Sequence, residues 1–120
     1  GATRAPILGE DSREKRQKRI NHLLKDVTAD ESRLAQEVAL FSDRSDITEE
    51  IVRLRSHLQQ FREYLAVDDA LGRRLDFLIQ EINREVNTLS SKASDSSISK
   101  VTVEMKAELE KLREQIQNVE

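Results

Sequence analysis

Cysteine is absent from this 120-residue chain, which excludes disulfides, thiolate zinc sites and cysteine nucleophiles. Tryptophan is absent as well, and aromatic residues make up only 3% of the sequence. A core must therefore be assembled from Leu, Ile and Val along helix seams. The one proline is Pro6, so no imide ring interrupts the backbone beyond it. With only three glycines there is little material for phosphate-cradling loops. No P-loop, nucleophile elbow, His-Glu-x-x-His or dinucleotide fingerprint occurs. No apolar run is long enough to cross a bilayer as a helix. A bulk basic field is missing too: the net charge is −3, so any nucleic-acid contact must use local groupings of Arg and Lys.

What the chain has in quantity is charge, at 36% of residues, laid out with helical periodicity. This composition predicts one all-α domain of four or five amphipathic helices. Residues 1 to 10 lack periodicity and read as a frayed end or a linker, leaving 11 to 120 as the helical domain. Asp11 to Asp26 reads as a helix with Ile20, Leu23, Leu24 and Val27 on one side and a basic outer face. That face, with Arg13, Lys15, Arg16, Lys18, Arg19 and Lys25, is either a solvated surface or a contact for an RNA backbone. Thr28-Ala29-Asp30-Glu31 resembles a capping box and predicts a new helix to about Ser42, with Leu34, Val38 and Phe41 inward. A second capping signal at Asp46 opens a helix from Ile47 to about Ala66. Its apolar seam is Ile47, Ile51, Leu54, Leu58, Phe61 and Leu65.

The next helix, Gly72 to Lys92, carries an apolar stripe of Leu75, Leu78, Ile82, Val86 and Leu89. Opposite it run Arg73, Asp76, Gln80, Arg84, Asn87 and Ser91, a row of short or fork-shaped hydrogen-bonding groups about 30 Å long. The short link around Asp68-Asp69 predicts a long antiparallel hairpin of these two helices. After a small polar loop, Ala93 to Ser97, a C-terminal helix begins near Ile98, with Val101, Met105, Leu109, Leu112 and Ile116 as its seam. Several long seams and few aromatics predict self-association.

Three groupings carry chemistry. Glu50, Arg53 and His57 share one edge of a helix at spacings of three and four; they form either a functional row or a satisfied polar edge on a seam. Glu81 and Glu85 are an i,i+4 carboxylate pair. They repel unless a hard divalent cation or an arginine, here Arg74 or Arg84, lies near. Arg73, Gln80, Arg84, Asn87 and Lys92 suit phosphates and sugar or base edges, or a polar network between subunits. No aromatic platform accompanies them, since Phe77 alone is not one; this argues against recognition by base stacking.

The run Gly72-Arg73-Arg74-Leu75-Asp76-Phe77, followed by Gln80-Glu81, Asn83-Arg84-Glu85, Asn87-Thr88 and Ser91-Lys92, resembles the C-terminal domain of the YicC/YloC family of bacterial proteins. Glu49 to His57 and the ending Leu112 to Glu120 are similar to the same family. The resemblance implies a fragment of a longer cytoplasmic protein whose N-terminal domain has no counterpart here. It implies a divalent-metal-dependent endoribonuclease, using magnesium or manganese, that hydrolyses phosphodiesters in single-stranded RNA and forms ring-like homo-oligomers. DNA is not an expected partner. On that reading Glu50, His57 and Asp76 do the proton work and Glu81 and Glu85 hold metal. Arg53, Arg73, Gln80, Arg84, Asn87 and Lys92 hold RNA. The sequence departs from the family near Ser97, where an acidic residue is usual. The rival expectation is an assembly module whose polar rows fasten subunits together.

Overall fold

The computed structural model describes residues 4–41, 45–67, 72–93 and 95–117. These form four helices: α1 (Arg4–Phe41), α2 (Ser45–Val67), α3 (Gly72–Lys92) and α4 (Ser96–Gln117). The fold is all-α, as the periodicity predicts, with no strand among the described residues.

The first two expected helices are one. Thr28 does not cap a helix; its hydroxyl donates back to the Leu24 carbonyl at 2.8 Å, the bond a Ser or Thr makes inside a helix. Asp30 and Glu31 resemble a capping signal because they interrupt the apolar stripe between Val27 and Leu34. Both are buried. They are a polar layer inside the bundle, with Glu31 paired to Arg55 of α2, and the backbone passes through them unbroken. Pro6 lies in the first turn of α1, where the missing N–H has no intrahelical acceptor to lose. At the other end of the chain, Asp95 Oδ1 accepts from the Ser97 and Ile98 amides at 2.9 and 3.2 Å. Asp95 thereby caps α4 two residues earlier than expected. The inward side chain expected of Phe41 and the Asp68–Asp69 connection lie outside the described residues.

Each helix packs against two neighbours: α1 on α2 and α4, and α3 on α2 and α4. The cross-helix pairs give the direction. Glu31 meets Arg55, His57 meets Glu85, Glu50 meets Lys92, and Arg33 meets Glu104. Partner numbers fall on one helix as they rise on the other, so neighbouring helices are antiparallel and the topology is up-down-up-down. All four stripes close on one core, in which Val27, Leu34, Leu54, Phe61, Ile82, Val86, Met105 and Leu109 are fully buried. The seams expected to drive self-association are thus covered within the chain itself.

α1 has 38 residues, about 57 Å at 1.5 Å per residue, and the molecule measures 62 × 22 × 17 Å. The other helices have 21 to 23 residues, so α1 outruns them. Its first described buried side chain is Ile20, and Lys15, Lys18 and Arg19 before it are exposed.

Candidate active site on the hairpin seam

The α2–α3 hairpin places two polar edges face to face. On α2, Glu50, Arg53, His57, Gln60 and Tyr64 recur every three or four residues and flank the buried stripe. On α3, Arg74, Glu81, Glu85 and Lys92 share one edge at spacings of seven, four and seven. Antiparallel pairing brings them together as rungs.

In the first rung, Glu50 is buried and accepts from Arg53 Nη1 at 3.1 Å, with Lys92 Nζ 3.6 Å away. Two cations thus compensate one desolvated carboxylate. Arg53 also donates to Glu49 at 2.7 Å. In the second rung, His57 Nδ1 lies 2.5 Å from Glu85 Oε1, a short charge-assisted bond. Glu85 is 5% exposed. Its burial pushes its carboxyl above the ordinary range; the His57 bond and charge pull it back, and Glu50 and Glu81 push it up again. With Nδ1–H donated to Glu85, Nε2 of the 23% exposed imidazole has no partner among the described residues. An oriented imidazole with a carboxylate behind it and an open nitrogen in front is the arrangement that acid–base chemistry requires. Arg53 and Lys92 stand on the same seam as counter-charges to Glu50.

The expected site residues divide between faces of α3. Glu50, Arg53, His57, Glu81, Glu85 and Lys92 share the α2 edge. Asp76 lies on the other edge, near Arg113 of α4, and accepts from Gln80 at 3.3 Å. It stands nine residues, about 13 Å of helix, from Glu85, so it does not join the His57 pair. Gln80, Asn87, Arg73 and Arg84 form an exposed outer row. Arg84, with 76% of its side chain exposed, reaches Glu81 at 3.7 Å. An exposed pair of that kind is worth little. Arg84→Ala is therefore expected to change unfolding free energy by no more than about 0.5 kcal/mol, checked by urea denaturation.

Glu81 and Glu85 do not by themselves build a cation site. One is beside Arg84 and the other is held by His57. No third acidic or histidine side chain converges with them in metal-binding geometry among the described residues. The pairing of His57 with Glu85 escaped the sequence reading, though the register of the predicted hairpin contained it. Asp95, two residues from Ser97, spends its carboxylate on the α4 cap.

A family model described as "Endoribonuclease YicC-like, C-terminal" matches residues 2–120. The chain belongs to this family. It is 58% identical over 112 residues to the probable endoribonuclease YicC of Clostridioides difficile strain 630, covering 92% of this chain and 38% of that protein. To the protein of the same name from Haemophilus influenzae it is 45% identical over 91 residues, covering 76% and 32%. The chain thus spans about a third of the length of these YicC relatives. No described helix is long and apolar enough to cross a membrane.

Proposed function

We propose that this YicC-like domain works in hydrolysis of phosphodiester bonds within single-stranded RNA, with His57 as the acid–base group. The observation that carries this is the His57–Glu85 pair, set in a seam that also bears Arg53 and Lys92. Nε2 of His57 takes a proton from the attacking water as the new P–O bond forms. Glu85 stabilises the imidazolium that results. The imidazolium then returns the proton to the leaving oxygen as the old P–O bond breaks. Arg53 exchanges its exposed partner, Glu49, for a phosphate oxygen, and the outer row of Arg73, Gln80, Arg84 and Asn87 follows the strand as it leaves.

The endoribonuclease names of the relatives support the RNA substrate; each relative is much longer than this chain. Cleavage of a labelled single-stranded RNA should therefore be far faster with a relative-length protein carrying this chain than with the chain alone. Time courses of both, at equal molarity and with magnesium or manganese added or chelated, check this. Equal rates would place all of the chemistry within these residues. Absence of cleavage in both would favour an assembly module.

A further inference from the structure

The hairpin seam does not end at His57. Two turns on, about 10 Å along α2, Tyr64 occupies the same edge, and there the seam opens into a groove of about 310 Å³ lined by Gln60, Tyr64, Arg73, Arg74, Phe77 and Leu78. Phe77 is 59% exposed, which is unusual for a residue of its size in a chain that buries its apolar stripes so fully. The Arg74 guanidinium sits 5.6 Å from the centroid of the Tyr64 ring. Arg53, Arg55, Arg62 and Arg84 all reach carboxylates or polar side chains. Arg73 and Arg74 have no such partner among the described residues. Tyr64 from α2 and Phe77 from α3 thus line one groove, a pairing that neither helix shows by itself.

We propose that this groove seats one base of a single-stranded RNA against Tyr64 and Phe77. Arg73 and Arg74 hold its flanking phosphates, and the amide of Gln60 faces its edge. The proposal rests on the RNA reading above and extends it along the seam. Every base has a π-face, so aromatic side chains bind single strands with little sequence preference. Arginine planes add to the stack and neutralise the backbone. Two guanidiniums beside two rings suit a base-and-phosphate repeat better than an apolar helix, which would leave both charges desolvated. A strand lying in the seam would place one base here and a phosphodiester beside His57.

The chain carries one tyrosine and no tryptophan, so its tyrosine emission reports on Tyr64 alone. The 120-residue chain is titrated with a 12-nucleotide oligouridylate and with an abasic ribose-phosphate chain of equal length. The expected result is strong quenching by the first and little by the second. Phe77→Ala, an exposed substitution that leaves the core intact, should weaken oligouridylate binding about tenfold. Equal quenching by both polymers, no quenching by either, or unchanged affinity in Phe77→Ala overturns the base seat. Failure of the nuclease reading would appear elsewhere, as normal RNA cleavage by His57 variants, which these titrations do not measure.

Discussion

Replacement of His57 by alanine, in a relative-length protein carrying this chain, is expected to reduce RNA cleavage by about 10²- to 10⁴-fold. It should also cost about 1–3 kcal/mol of stability. The two effects have different origins. The cleavage loss comes from removing the nitrogen that moves the proton. The stability loss comes from Glu85, which is 5% exposed and would be left without its donor. The double variant His57→Ala/Glu85→Leu removes the orphaned carboxylate along with the imidazole. It should regain most of the stability and none of the activity. Glu85→Gln should fall between, because an amide oxygen still accepts from Nδ1–H but does not stabilise an imidazolium. The pH profile adds a further mark. Burial holds the Glu85 carboxyl above its ordinary range, so the ionised form that supports the imidazolium is lost earlier as pH falls. The acid limb of the rate profile should therefore lie higher than an ordinary carboxylate would give, and Glu85→Gln should abolish that limb. Cleavage per folded molecule that stays normal in the double variant would make the pair a strut and remove His57 from the mechanism.

The parts of this arrangement that were legible in the sequence are those carried by a single helix. The stripe from Ile47 to Leu65 and the polar edge of Glu50, Arg53 and His57 follow from one periodicity, and both are present. The grouping of Asp76 with His57 needed knowledge of which side of α3 meets α2. Periodicity gives the faces of a helix but not which neighbour each one meets. The break expected at Thr28 failed for a related reason. A buried polar layer and a helix boundary look alike locally, because both interrupt an apolar stripe with acids. What distinguishes them is compensation from elsewhere: Arg55 on α2 donates to Glu31 at 2.6 Å, and Glu108 on α4 faces Asp30. The groove at Tyr64 was hidden in the same way, with one aromatic residue on each of two helices.

That polar layer gives the second large effect: the stability of the chain should fall as pH rises from about 4.5 to about 8. Asp30 is 5% exposed, and its Oδ2 and Glu108 Oε2 are buried without other partners. One proton between the two carboxyls satisfies both. Burial, the bond to Asp30, and the charges of Asp30, Asp26 and Glu104 push the Glu108 carboxyl up to about 8 from an ordinary 4.5. Arg33 is the nearby cation, 3.6 Å from Asp30 and 3.0 Å from Glu104, and it is shared between those two acids. The sign follows from linkage. Below pH 4.5 both folded and unfolded chains carry the proton, and its stabilisation is complete. Between 4.5 and 8 the unfolded chain has released it while the folded chain retains it, so each rise in pH favours unfolding. Above 8 the folded pair is a buried double anion and the loss is complete. Glu108→Gln supplies permanently the donor that the proton supplies only at low pH. It should leave stability near pH 4.5 little changed and raise it at pH 8.5 by about 1–2 kcal/mol, discounted because Glu108 is partly open to solvent. That corresponds to about 5 °C in melting temperature. Other titrating groups, Glu85 among them, are common to both proteins. The difference between variant and parent, measured by urea denaturation from pH 4.5 to 9, therefore isolates the pair. A difference that does not grow with pH would mean that Asp30 and Glu108 do not share a proton, and that another donor satisfies Asp30.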